Sequence, residues 1–345
     1  MKRRAAAVLG GAVLALGLAG ALGWHLLSVL NTRPGPLPVA RAVIVPRGTP
    51  AQLAEALLAA GVIDNPAAFR LATLASKGDG PLHAAELAFP AHASLRAVLA
   101  VLRTGRPVQH RLTIPEGLTA AQVALLLDRA PALAGDTPVP EEGAVLPETY
   151  AFERGTTRAA LAERAAAAMA RVLAQEWEQR DAGLPLAGPA DMLTLASIVE
   201  RETSRPEERP LVAAVFLNRL KLGMRLQADP TVAYGVSGGT GVLERPLTRA
   251  DLDWPTPYNT YRVAGLPPGP ISSPGVASLR AVAHPAPSDD LYFVADGGGG
   301  HAFARSLEEH NRNVARWRQG QGAPPPGGYR ADPWPSVKAP QTALY

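Results

Sequence analysis

The sequence predicts an α+β protein with an N-terminal transmembrane helix, a small α/β module and a larger mixed α+β domain. Three observations lead there. An apolar run opens the chain, two strand-like segments each turn through Pro-x-Gly into a helical segment, and three long helical segments precede a stretch dense in turn residues. With 345 residues the chain exceeds the roughly 100 to 200 residues of one domain, so two folded units plus tails are expected.

Residues 5–30 are nearly all apolar and follow Lys2, Arg3 and Arg4. As a helix this run spans roughly 39 Å, enough to cross a bilayer. The basic cluster stays on the cytoplasmic side and places everything after Asn31 outside the inner membrane. Ala19-Gly20-Ala21 fits the small-residue pattern of a signal-peptide cleavage site, but the apolar run continues well past it, which favours an uncleaved anchor. The expected topology is single-pass, with residues 1–4 as a cytoplasmic stub and the folded remainder periplasmic.

Residues 31–41 form a linker that contains Arg33-Pro34-Gly35-Pro36-Leu37-Pro38, an extended and semi-rigid spacer. The small module covers residues 42–110, with a strand-like run at Ala42 to Val45 and amphipathic helices at Ala51 to Leu58 and Pro66 to Leu74. Val45-Pro46-Arg47-Gly48 before Gln52-Leu53 recurs as Ile114-Pro115-Glu116-Gly117 before Gln122-Val123. In both copies a strand is expected to turn through Pro-x-Gly into a helix. The larger domain covers residues 111–318, with helical segments at 158–178, 191–203 and 207–222 and Asp191 as the expected N-cap of the middle one. From Met224 to Pro287 the density of Gly, Pro, Thr and Asn favours turns and short strands. Gly297 to Gly300 reads as a hairpin connection after Leu291-Tyr292-Phe293-Val294. Residues 319–345, with their Pro/Gly-rich run, read as a disordered tail.

Composition excludes several classes. Lys and Arg total 34 against 30 Asp and Glu, a net charge of +4, and no basic run interleaved with aromatics follows Arg4, so a nucleic-acid partner is not expected. Cysteine is absent, which removes disulfides, a thiol nucleophile and Cys-ligated metal. His284, His301 and His310 lack His-Glu-x-x-His spacing and read as structural, so no metal is expected. Ser272 and Ser273 do not form a Gly-x-Ser-x-Gly elbow and read as a turn or cap.

The richest segment for chemistry is Ala196-Ser197-Ile198-Val199-Glu200-Arg201-Glu202-Thr203. On a helix, carboxylates at i and i+2 project about 200° apart and cannot form one close pair. Glu200 shares its face with Ala196, Ser197 and Thr203, small enough to admit a bulky substrate, whereas Glu202 lies beside Ile198 and Val199, which raise a carboxyl pKa. Helical geometry does not choose between them. The bland alternative for either is an ion pair with Arg201 or Arg219.

Taken with Val215-Phe216-Leu217-Asn218-Arg219-Leu220, Leu226-Gln227-Ala228-Asp229-Pro230-Thr231, Pro257-Tyr258-Asn259-Thr260-Tyr261 and Gly265-Leu266-Pro267-Pro268-Gly269-Pro270-Ile271, this segment resembles the endolytic murein transglycosylases, the YceG-like proteins. The Ile-Pro-Glu-Gly at 114–117 and Leu146-Pro147-Glu148-Thr149-Tyr150 look like further signatures. Two departures are Ala228, where the family more often has a hydroxyl residue, and Ala84-Ala85-Glu86, which lacks a Gly.

The resemblance implies a LysM-like fold for the small module and a catalytic role for the larger domain. It implies cleavage of nascent peptidoglycan strands between N-acetylmuramic acid and N-acetylglucosamine, leaving 1,6-anhydro ends and so terminating elongation. It places the catalytic acid at Glu200, needs no cofactor, and suggests peptidoglycan synthases as partners. Asn218, Gln227, Tyr258 and Asn259 are the expected sugar-groove residues, because amides and phenols suit hydroxyl and acetamido groups, and Asp229 is a further substrate-binding candidate. Two alternatives stay open: a membrane-tethered glycan-binding scaffold, and a muramidase-type hydrolase whose second carboxylate would be Glu207, Asp229 or Asp251.

Overall fold

The computed structural model describes Val29 and residues 31–320, so the expected anchor, apart from Val29, and the tail beyond Gly320 lie outside the described residues. No helix among the described residues is long and apolar enough to cross a membrane. The fold is α+β, with eleven α-helices and three two-stranded sheets among the described residues. The chain divides into two compact units, one running to His110 and including Ala151–Gly155, the other formed by Arg111–Tyr150 and the chain from Thr156 onward.

In the first unit β1 (Arg41–Ile44) is followed by α1 (Pro50–Ala59), α2 (Pro66–Ala75), β2 (Glu86–Phe89) and α3 (Leu95–Thr104). β1 and β2 pair antiparallel, with Arg41 opposite Phe89 and Ile44 opposite Glu86. Local chemistry sets each helix start. Thr49 and Gln52 form a reciprocal capping box on α1, Asn65 accepts the Ala68 N–H ahead of α2, and Pro66 supplies a preset φ at its first position. Leu53, Leu57, Phe69, Leu87, Phe89, Val98 and Leu102 fill the core beneath.

β3 (Gln109–Thr113) and β4 (Thr149–Glu153) form the second ribbon. The second unit continues with α4 (Ala120–Asp128), α5 (Arg158–Gln179), α6 (Pro189–Glu202), α7 (Arg209–Lys221), α8 (Asp229–Val236), α9 (Arg249–Asp253) and α10 (Val276–Ala283). The hairpin β5 (Tyr292–Ala295) and β6 (His301–Ala304) and then α11 (Leu307–Gly320) are the last elements among the described residues. The Thr-x-x-Gln box recurs at Thr119 and Gln122 on α4, so the repeated sequence is the same helix-start device used twice. α6, α7 and α10 pack against one another around Met192, Leu195, Ile198, Val199, Phe216, Leu279 and Val282.

Three local expectations change. Asp191 is not the cap of α6: Gly188 is, Pro189 needs no N–H partner as the first helical residue, and Asp191 Oδ2 instead accepts the Ala187 N–H at 2.8 Å. The stretch 224–287 holds helices α8, α9 and α10 and no strand, because Asp229-Pro230 and the Thr248/Asp251 capping box start helices inside a Gly/Pro-rich background. Ser272 and Ser273 are buried and bridge elements rather than capping α10, whose N-cap is Gly275. Ala228 occupies the N-cap of α8 without a side-chain hydrogen bond, the position at which a hydroxyl residue would supply one.

Candidate active site

α6 is buried almost all round from Met192 to Glu200, with only Leu193 less so, as a helix threaded through a core must be. Glu200 ends that buried stretch, in the last turn of the helix, with 3% of its side-chain surface exposed. The helix dipole there disfavours an anion. Three donors meet it. Arg209 Nη2, from the first turn of α7, donates to Glu200 Oε1 at 2.9 Å, while the Gly275 N–H and Ser278 Oγ, from the start of α10, donate to Oε2 at 2.9 and 2.8 Å.

Burial is the largest influence on Glu200 and raises its pKa; the Gly275 N–H and the Arg209 charge pull the other way, Glu116 adds to the rise, and Ser278 opposes it. The net direction is upward, so a carboxyl with donors suited to an anion still holds its proton more tightly than a free one. Such a group can act as a general acid.

Two further elements fix the wall around it. Ser197 Oγ accepts the Ile271 N–H at 3.0 Å, and Ser272 Oγ donates to Ser197 O at 3.1 Å, tying the 271–275 segment to α6. Ser273 then pairs with the turn before α4: the Gly117 N–H donates to Ser273 O at 2.9 Å and the Ser273 N–H to Leu118 O at 2.8 Å. That turn carries Glu116, whose Oε2 accepts from Arg209 Nη2 at 3.2 Å and whose side chain stays 43% exposed. The group therefore opens towards solvent on the Glu116 side.

Along its length, residues 43–316, the chain matches the YceG-like family. It belongs to that family. It is 43% identical over 121 residues to the endolytic murein transglycosylase of Bacillus subtilis (strain 168), a match covering 35% of this chain and 32% of that protein. With the endolytic murein transglycosylase of Streptococcus pneumoniae serotype 2 (strain D39) it shares 31% over 249 residues, 61% of this chain and 45% of the other. The chain thus matches about a third to just under half the length of these curated relatives. A solved yceG-like protein from Listeria monocytogenes aligns over 80% of this chain and 99% of its own at 29% identity, with a TM-score of 0.48.

Within this YceG-like chain, Glu202 points elsewhere. Its pKa is pushed up to about 8, first by burial of the carboxyl and then by Asp229, against the charges of Arg219 and Arg201. Asp229 is itself raised by burial and accepts from Tyr261 Oη at 2.6 Å. The residue retains some exposed surface, yet burial still dominates its titration. Arg201 feels the charges of Glu200 and Glu202 and donates to Gly117 O at 3.0 Å, whereas Arg219 fastens Leu291 O and Leu226 O at 2.7 Å each.

The proposed groove residues separate. Asn218 donates to Ser288 O and Asp290 O at 2.8 and 3.1 Å. Asn259 is fully buried, donating to Leu252 O and Trp254 O and accepting the Tyr261 N–H. Tyr258 is half-buried, its ring 4.8 Å from that of Tyr234. Gln227 is exposed in the left-handed region, φ 50°, leaving its amide free to face solvent. Asp229 is held by Tyr261, as above. Of the carboxylates considered as partners for Glu200, Glu207 is exposed beside Arg205 and Asp251 is bound by Arg245 and Thr248. Glu116, Arg209, Gly275 and Ser278 escaped sequence reasoning. The Ile-Pro-Glu-Gly repeat did mark Glu116, as a turn.

The histidines bind within the scaffold. His301 Nδ1 lies 2.7 Å from Glu208 Oε2, His284 Nδ1 2.7 Å from Asp181 Oδ1, and His310 stacks on Tyr292. In the first unit a cavity of about 630 Å³ is lined by the β1–α1 turn (Arg47, Gly48) and the α2–β2 connection (Lys77, Gly80, Leu82), with Arg103 beside them.

Proposed function

We propose that this chain is an endolytic peptidoglycan transglycosylase with Glu200 as its acid and base. The observation that carries the reading is the Glu200 carboxyl itself, buried, raised in proton affinity and ringed by donors that can hold it once ionised. Protonated Glu200 gives its proton to the glycosidic oxygen between N-acetylmuramic acid and N-acetylglucosamine as that bond breaks. The muramoyl C6 hydroxyl closes onto C1, and its proton returns to Glu200. No water is consumed and no protein nucleophile is needed. Arg209, the Gly275 N–H and Ser278 stabilise the carboxylate between the two transfers. The relatives named endolytic murein transglycosylases support murein as the substrate and cleavage within its strands; on this reading the strands cut are nascent and the cut ends their elongation.

The strand–helix–helix–strand order of the first unit, with its strands antiparallel, supports a LysM-like module over 42–110 and a catalytic domain over 111–318. The cavity between the β1–α1 turn and the α2–β2 connection is a second place to hold a strand. Lys2, Arg3, Arg4 and the apolar run after them support an inner-membrane anchor at 5–30, a cytoplasmic N-terminus and a periplasmic catalytic domain, within reach of synthases. Gln227 and Asp229 remain groove candidates together with Tyr258; Asn218 and Asn259 would act there by shaping loops.

Glu200→Gln tests the reading. Purified peptidoglycan strands should yield anhydro-ended fragments with the wild type and none with the variant, and undiminished release refutes it. A hydrolase has one observation in its favour, a second carboxylate, Glu116, on the same arginine nitrogen. Product mass separates the two, since hydrolysis leaves reducing ends one water heavier.

A further inference from the structure

Glu116 and Glu200 do not merely lie near one arginine; they share one nitrogen of it. Arg209 Nη2 is 2.9 Å from Glu200 Oε1 and 3.2 Å from Glu116 Oε2, so the two carboxylate oxygens are within roughly 6 Å of each other. Arg209 has the fork for a bidentate pair with Glu200, yet its Nε is buried without a hydrogen-bond partner. The guanidinium is thus held between two carboxyl groups. The turn that carries Glu116 is fastened: Ser273 clamps Gly117 and Leu118, Arg201 holds the Gly117 carbonyl, and Gly275 lacks the Cβ that would overlap Glu116 Oε1. The Gly275 N–H meanwhile donates to Glu200, so one glycine seats both carboxylates.

Resting on the transglycosylase reading of Glu200, we propose that Glu116 is a positioning residue: by engaging the shared Arg209 nitrogen it keeps the guanidinium from fully neutralising Glu200, which therefore retains the proton its acid step requires. The charged groups facing Glu200 are Arg209 from α7, Glu116 from the turn before α4 and its neighbour Arg201 on α6, while α10 contributes only an N–H and a hydroxyl. Removing the Glu116 charge leaves Arg209 to Glu200 alone and stabilises the carboxylate. The direction agrees with the upward influence of Glu116 on Glu200.

The test is the pH–rate profile of anhydro-product release by the full chain. Glu200 acts protonated, so activity falls as pH rises through its pKa. In Glu116→Gln that alkaline limb should move to lower pH by roughly one unit, the effect of a charge about 6 Å away reduced by its partial exposure. Above the limb the rate should drop about tenfold, while rates well below it change little. Glu116→Asp should return the limb toward its original position. A profile identical to the wild type, or lowered by one factor at all pH values, overturns the proposal. Should Glu116→Gln fail to fold, Glu116→Ala removes the same charge without touching the Gly275 N–H and must shift the limb down too; an unmoved limb overturns it. Carboxyl-carbon NMR of Glu200 in the wild type and Glu116→Gln reads the same shift without turnover. A wild type that makes no anhydro ends thus refutes the transglycosylase reading separately, and an unshifted Glu200 titration refutes this one.

Discussion

Replacing Ser278 by Ala removes one donor from Glu200 and leaves the other two. Ser278 is fully buried, and its hydroxyl lies 2.8 Å from a carboxylate oxygen whose side chain is 3% exposed, so water cannot take its place readily. A hydrogen bond to a charged group in such surroundings is worth about 1.5–3 kcal/mol. Much of it belongs to the ionised form, and each 1.36 kcal/mol is one pKa unit, so the Glu200 pKa should rise by roughly one to two units. The Gly275 N–H and Arg209 still satisfy the carboxylate, which keeps the site assembled. In an anhydro-product assay across pH, the alkaline limb of the Ser278→Ala enzyme should move upward, opposite to the shift of Glu116→Gln. A limb that stays in place or moves down refutes the reasoning, because it would mean that Glu200 is not the group whose ionisation the profile reports.

Two more predictions concern stability. Glu202 titrates near 8 in the fold against an ordinary 4.5, so the stability it carries below 4.5 is lost as pH rises toward 8. Glu202→Gln should therefore gain melting temperature relative to the wild type between about pH 5 and about pH 9, and a difference flat with pH refutes the assigned burial. Phe69 is fully buried in the core of the first unit, and Phe69→Ala should cost about 3–5 kcal/mol in the transition of that unit followed by denaturant, with a loss below about 1 kcal/mol refuting its place there.

Particular residues show what could be read from the sequence. Helix starts were legible at Pro50 and Pro66, which fall within a residue of the expected starts at 51 and 66, and the hairpin around Gly297 to Gly300 follows from its own turn chemistry. Asp191 misled because a good capping side chain two residues inside a Pro-started helix is spent on the preceding N–H instead. The short helices of 224–287 were hidden by their Gly and Pro neighbours. For the site, the helix pattern narrowed the candidates to Glu200 and Glu202 and correctly placed apolar neighbours beside the second, but the raised pKa of both means proton affinity does not separate them.

The sequence by itself determined the helix that carries Glu200, the turn that carries Glu116 and the family to which the chain belongs, because each is encoded in contiguous residues whose hydrogen bonds and periodicity are local. Only the tertiary structure decided the company that Glu200 keeps. Arg209, Glu116, Gly275 and Ser278 come from three other segments, up to 84 residues away, and meet at one carboxyl because α6, α7 and α10 bury a common core. No periodicity along a chain specifies which distant donor a buried anion will find; packing does, since an unpartnered charge in that core would cost more than the fold can lose.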